Sequence, residues 1–202
     1  MMDSEILIAF LIVAGLLFLA ILLSILLGKF PVEYESPEKR AGHQGERMAR
    51  GIIGEILIPG DVLLCNIDIS ADGKQTELDN VVINKDGVFI IEVKNYSGIL
   101  IGEEDDREWI KNKTTYTGNL YQKTVKNPIG QVKRQIFILS TFLKEHAIHV
   151  WVEGYVFLIE GNSPVKSDYI LGTQKDIDKA IHTGANQLTY EQVDMIEEIL
   201  MK

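Results

Sequence analysis

The chain has 202 residues, with 20 Lys and Arg against 29 Asp and Glu and a formal net charge of -9. That length suits one globular domain of about 100–200 residues with a segment to spare, and the acidic balance excludes a broadly basic nucleic-acid surface. A single cysteine, Cys65, excludes an internal disulfide and agrees with a reducing compartment.

The spare segment comes first. After MMDSE at residues 1–5, the run ILIAFLIVAGLLFLAILLSILLG from Ile6 to Gly28 carries no charged residue. At 1.5 Å per residue it is long enough to cross a ~30 Å hydrocarbon core as one helix. The rival reading is a cleaved signal peptide. Against it, the preceding residues are acidic, the run exceeds the ~7–15 apolar residues of such peptides, and no small-x-small cleavage site follows. The expectation is therefore an uncleaved transmembrane helix over 6–28. Lys29, Lys39 and Arg40 after it, with Asp3 and Glu5 before it, place the remainder of a single-pass cell-membrane protein in the cytoplasm by the positive-inside tendency. Glu33, Glu35 and Glu38 blur the local net charge.

Residues 29–37 read as a linker, because Pro31 and Pro37 discourage a continuous helix. A helix is expected over about 38–57, where Met48, Ile52, Ile53, Ile56 and Leu57 recur at helical spacing. Pro59-Gly60 ends it. DVLLCNIDI at 61–69 reads as a strand, followed by two more over 77–84 and 87–95 joined through NKDG, whose Asp-Gly pair is a hairpin signal. Residues 96–118 read as polar and irregular. Asn127-Pro128 opens a helix over 128–145, as an N-cap followed by Pro at the first helical position. A strand at 149–160, a short one near 168–172, and helices near 174–182 and 190–201 complete the chain, with Thr189 and Gln192 spaced as a capping box. These elements make a mixed α/β domain with helices packed on a sheet.

GVFIIEVKN at 87–95 poses the functional question, since Glu92 and Lys94 interrupt an apolar strand where burying charge is costly. Alternation puts both on one face with Val88 and Ile90, leaving Phe89, Ile91 and Val93 on the other. The preceding strand would carry Glu77, Asp79, Val81 and Ile83 on one face, so hairpin pairing would bring Asp79 towards Glu92 at the end far from the turn. Two converging carboxylates repel unless compensated, and a hard divalent cation would compensate them. Such an ion activates water and stabilises charge on a phosphate being cleaved, with Lys94 beside it as an electrostatic assistant. The plainer alternative is a Glu92–Lys94 pair at the sheet edge, screened by water, with Asp79 capping a turn.

The ordered set GHQGER, TELDNVVINKDGVFIIEVKNYSG and NPIGQ resembles the nuclease-related domain (NERD) family, grouped with the restriction-endonuclease-like PD-(D/E)xK superfamily, over about residues 40–160. The resemblance implies a restriction-endonuclease-like mixed β-sheet flanked by helices, preceded here by the transmembrane helix. The implied organisation is a nuclease-related domain over 38–160 with a C-terminal α/β extension over 161–202 packed on it. It also implies that Asp79 and Glu92 bind Mg²⁺ or Mn²⁺, that the Val93 backbone carbonyl adds a metal contact, and that Lys94 is catalytic. Glu46 resembles the first-helix acid that helps hold metal or water, although Glu55 follows a similar GIIGE. Gln131 resembles the helix glutamine that supports the site, against a local role at its helix start. Leu78 departs from the pattern, where the superfamily name expects Pro before Asp79.

Charge is uneven along the chain. Residues 107–134 hold Arg107, Lys111, Lys113, Lys123, Lys126, Lys133 and Arg134 against Glu108 alone, interleaved with Tyr116 and Tyr121. This segment is the expected DNA contact, with an anionic-lipid face or ordinary surface as alternatives. His43, His146, His149 and His182 have no zinc-ligand spacing, and Trp109, Trp151 and Cys65 read as packing. The resulting expectation is a membrane-anchored, divalent-metal-dependent nuclease-like protein hydrolysing DNA phosphodiester bonds. The alternative is a catalytically inactive nucleic-acid-binding or membrane-linked protein-interaction scaffold on the same fold.

Overall fold

The computed structural model describes residues 4–26, 35–114, 117–184 and 186–202. The first residues of the chain, the end of the apolar run, most of the expected linker and Tyr116 lie outside the described residues. The chain divides into two compact units, Met1–Pro37 and Glu38–Lys202.

The first unit is built on helix α1 (Ser4–Leu26). Its large apolar side chains are exposed all round, from Ile6 to Leu26, and a helix apolar on every side is the pattern shared by core helices and membrane spans. The stretch Glu5–Leu26 is long and apolar enough to cross a membrane, a length and composition shared by membrane spans and signal sequences.

The second unit is a mixed α/β fold. Helix α2 spans Pro37–Gly54, and strands β1 (Val62–Ala71), β2 (Lys74–Asn84) and β3 (Gly87–Lys94) form an antiparallel meander. Strand β7 (Val152–Leu158) adds parallel to β3, and β8 (Ile170–Leu171) adds parallel to β7, giving the order β1-β2-β3-β7-β8. Helix α3 (Pro128–Glu145) lies in the β3–β7 crossover, as a parallel pair requires. Helices α4 (Gln174–Ile181) and α5 (Tyr190–Leu200) follow β8.

The sheet is covered on both faces. Val81, Ile83, Val88 and Ile90 pack with α3 through Ile129, Val132 and Leu139, and with α5 through Val193 and Ile196. Val82, Phe89, Ile91 and Val93 pack with Ala49 and Ile53 of α2 and with Ile177 and Ile181 of α4. Strand β3 is therefore buried on both sides, which explains its nearly unbroken apolar run. The hairpin turn closes as NKDG suggests. Asn84 Oδ1 accepts from the backbone N–H of Asp86 and of Gly87, and Gly87 adopts φ 151°.

Both helix-start readings hold. Asn127 caps α3, its side chain accepting from Ile129 N–H with Pro128 following, and Thr189 and Gln192 form a reciprocal capping box on α5.

Three expectations are corrected. Residues 96–118 are not irregular. They supply β4 (Ile99–Ile101) and β5 (Glu108–Thr114), which join β6 (Leu120–Lys126) in a separate three-stranded antiparallel sheet. Trp151 is 71% exposed rather than packed, because it stands just ahead of β7. The simple alternation assigned to β2 also fails. Leu78 packs in the same cluster as Val81 and Ile83, so the strand changes phase between them. Strand β1 does likewise around Asn66, whose φ of 55° lies in the left-handed region that asparagine tolerates.

Candidate active site

The phase change in β2 opens the site. The regular β2–β3 ladder runs from Asn84↔Gly87 to Val81↔Ile90. Beyond it, side chains take over the bonding. Asn80 Nδ2 donates to Ile91 O at 3.3 Å, and Asp79 Oδ2 accepts from Val93 N–H at 2.7 Å. Asp79 thus reaches the β3 backbone two residues beyond the carbonyl held by Asn80. Asn80 itself is buried and accepts from the Cys65 thiol at 3.4 Å.

Glu92 is 1% exposed on the central strand, so the sheet-edge reading of its charge is corrected. Its carboxylate is fully engaged. Oε1 accepts from Lys94 Nζ at 2.5 Å and from Gln131 Nε2 at 2.6 Å, and Oε2 accepts from Gln135 Nε2 at 2.6 Å. Donors of this kind are what make a buried carboxylate tolerable. Sequence reasoning did not single out Gln135. Its signal is the QVKRQ spacing, since residues four apart share one face of a helix. Gln135 also donates to Glu77 O at 3.0 Å, while its own Oε1 is buried without a hydrogen-bond partner among the described residues.

Glu46 extends from α2 on the other side. Asn66 Nδ2 donates to Glu46 Oε2 and to Glu77 Oε1, each at 3.4 Å, and Arg50 Nη2 donates to Asn66 Oδ1 at 2.7 Å. The left-handed turn at Asn66 is what aims this amide, a second contribution that sequence reading missed. Glu55 stands elsewhere, accepting from Gln174 Nε2 at 3.0 Å.

The geometry therefore joins Glu92, Lys94 and Gln131 by direct hydrogen bonds and sets Asp79 beside them through Val93 N–H. Glu46 makes no bond to either acid, yet its charge is felt at Asp79. Burial first, then the Glu92 carboxylate, pushes Asp79 up to about 7. The Val93 N–H and Lys94 oppose that rise, and Glu46 adds to it. Burial works against the Lys94 ammonium, but Glu92, with Tyr96 and Asp79 behind it, outweighs burial and raises the Lys94 pKa. Lys94 is accordingly a proton-bearing cation here and not a ready base.

Among the described residues, no three His, Cys, Asp or Glu side chains cluster closely enough to hold a metal ion. The donor chemistry nonetheless fits a hard divalent cation. Asp79 Oδ1 accepts no hydrogen bond among the described residues, and the carboxylates of Glu92 and Glu46 burden Asp79 with a repulsion that a cation relieves. His182, by contrast, is bound up structurally, with Nε2 2.9 Å from Asp61 Oδ2 and Nδ1 2.8 Å from Asp178 Oδ1. Trp109 is fully buried and its Nε1–H donates to Glu103 O at 2.9 Å, so it serves packing as expected.

Known proteins resemble this chain along most of its length. An uncharacterized protein of Bacillus anthracis is 24% identical over 194 residues, covering 93% of this chain and 88% of that protein. No solved structure matches. The nuclease-related domain profile matches residues 41–159, which take in α2, the splayed hairpin, the small sheet, α3 and β7. With more than half of the chain under that match, the protein belongs to the nuclease-related domain family.

Proposed function

We propose that this protein is a membrane-anchored, divalent-metal-dependent nuclease that hydrolyses DNA phosphodiester bonds at the Glu92–Lys94 end of β3. The carrying observation is the fully buried Glu92, bonded by Lys94, Gln131 and Gln135 on a strand that apolar residues would stabilise as well. Charge kept inside a core at that cost is a mark of chemistry.

Asp79 and Glu92 are the residues that would hold Mg²⁺ or Mn²⁺, with the Val93 carbonyl and Glu46 as further oxygens. When bound, the cation supplies Lewis-acid polarisation of the phosphate and a more acidic water. The chain's own groups do the rest. The Lys94 ammonium stabilises negative charge growing on the phosphoryl oxygens. Gln131, on the solvent side of Glu92, orients the carboxylate and the phosphate. Gln135 fixes Glu92 from within. Residues 107–134 approach the nucleic-acid backbone. Residues 6–28 anchor the chain, and the nuclease-related domain (38–160) with its C-terminal extension (161–202) faces the cytoplasm.

The test is divalent-metal-dependent cleavage by the full chain in a neutral detergent, over several DNA and RNA forms. Asp79→Ala and Lys94→Ala are expected to abolish it. Wild-type rates surviving both substitutions would remove this site assignment. One observation favours a second reading, an inactive nucleic-acid-binding scaffold. Lys94 closes directly onto Glu92, and the three acids do not gather into a cluster. DNA binding without cleavage under every metal tried would establish that reading instead.

A further inference from the structure

The small sheet sets like charges against each other. Lys111 faces Lys123 directly across the β5–β6 ladder, and Lys113 faces Tyr121 at the next pair on the same side. Directly opposed like charges destabilise a ladder. Other basic residues near them differ in setting. Lys133 pairs with Glu104 at 3.0 Å and lies over the Tyr169 ring, Arg134 donates to Gln75 O, and Lys126 stands opposite Glu108. None of Lys111, Lys113 and Lys123 forms an ion pair among the described residues. Burial, then Lys123 and Lys113, holds the Lys111 pKa below the ordinary lysine value. The strain of the cluster is electrostatic, and Glu38 opposes it at Lys111 without closing an ion pair among the described residues.

This face adjoins the candidate active site. Lys111 Nζ lies 5.4 Å from the centroid of the Tyr96 ring, and Tyr96 in turn acts on Lys94. The placement is fixed on two sides. Gly98 (φ 93°) sits so close to β5 that an added Cβ would lie 2.2 Å from Asn112 O, and Asn127 Nδ2 donates to the carbonyls of Glu104 and Asp106. Alternation puts the lysines on the side of Trp109 and Leu100, both fully buried, and so on the side turned towards the domain. Ile99, Ile101, Ile110 and Leu120 occupy the outward side. A flat bilayer would meet the aliphatic side, whereas a strand can follow the lysines inwards.

We propose that Lys111, Lys113 and Lys123 grip successive backbone phosphates of the nucleic-acid strand entering the Glu92–Lys94 site. The inference rests on the nuclease reading of that site. Its three ammonium groups are separate from the catalytic set, so they govern affinity and KM while leaving kcat to Asp79, Glu92 and Lys94.

The test uses the full chain in phosphatidylcholine nanodiscs with a fluorescein-labelled 20-nucleotide single strand, in EDTA so that no cleavage intervenes. Affinity is read by anisotropy across a salt series. Each phosphate contact contributes about 0.7 to the slope of log K against log salt for single strands. The triple variant Lys111→Gln/Lys113→Gln/Lys123→Gln is expected to lower that slope by about 2, by the same count. The double variant Lys113→Gln/Lys123→Gln, confined to exposed side chains, is expected to lower it by about 1.4. Lys144→Gln, at the far end of α3, should leave it unchanged. DNA should also protect Lys111, Lys113 and Lys123 from amine acetylation.

An unchanged slope in both multiple variants, or an equal loss in Lys144→Gln, overturns the inference. Protection of these lysines by phosphatidylserine nanodiscs alone, with none from DNA, overturns it in favour of a lipid face. DNA held through these lysines without cleavage in any metal supports the inference and sinks the enzymatic reading. Cleavage with an unaltered KM in the triple variant sinks the inference alone.

Discussion

The two ends of the β2–β3 hairpin use the same strands for opposite purposes. At the turn end, Asn84 is buried, accepts from two backbone N–H groups and donates to Ile181 O, tying the turn to α4. Both polar side-chain atoms of Asn84 finish bonds that the fold requires. At the far end the ladder stops, and Asp79 and Asn80 bridge the gap with side chains while Glu92 lies buried among three donors. An apolar pairing would stabilise that end as well or better. Asparagine at the turn serves the fold, and carboxylate at the splay serves the site.

The sharpest way to break this comparison is to neutralise the splayed end. Glu92→Gln/Lys94→Met removes both charges at similar volume. It should lower cleavage by at least about a hundredfold while leaving the denaturant midpoint unchanged or raised. A large loss of stability in that double variant would mean that the ion pair holds the fold. Asp79→Asn makes the same point with one atom changed. Its amide oxygen still accepts from Val93 N–H, and repulsion from Glu92 and Glu46 disappears, so metal-dependent cleavage should be lost without a fall in thermal midpoint.

At the turn end the expected effects are reversed. Asn84→Ala leaves two N–H groups and the Ile181 carbonyl without partners, which should cost about 1–3 kcal/mol in urea unfolding. Turnover per folded molecule should stay the same. A smaller effect separates both ends from the remainder of the domain. Asp61 and Asp178 raise the His182 pKa against the effect of burial. The protonated form is therefore favoured on folding. Its contribution is full below the unfolded value of about 6.5 and fades as pH rises through the folded-state value. The melting-temperature gap between wild type and His182→Gln should accordingly shrink from pH 6 to pH 9. The smallest effect is expected at the last helix, where Thr189→Ala removes a cap worth about 1 kcal/mol and should leave cleavage untouched.

Much of this was legible because periodicity and caps are local. The Asn127-Pro128 start, the Thr189–Gln192 box and the two faces of β3 follow from spacing within a few residues. The phase change in β2 was not legible. Leu78 and Val81 look out of step unless one knows that Asn66 turns left-handed on the neighbouring strand. The small sheet escaped for a related reason. Its inward side begins with Trp109 and continues through Lys111 and Lys113, so the alternation is real but changes chemistry midway. Among the candidate residues, Glu92, Lys94 and Gln131 meet through direct hydrogen bonds. Gln135 was hidden by its distance from EVK, forty-one residues from Lys94 in the chain.

The parallel β3–β7 pair bears on how this protein is made. Val88 and Val152 face each other across sixty-four residues, and everything that donates to Glu92 from α3 lies in the chain between them. Loop closure over such a distance is slow compared with hairpin formation. During synthesis the β1–β2–β3 meander can therefore form while Glu92 still faces water. Its glutamine partners arrive only when α3 docks, and β7 seals the strand's free edge later still. A nascent chain of this protein would thus carry a finished hairpin and an unfinished site.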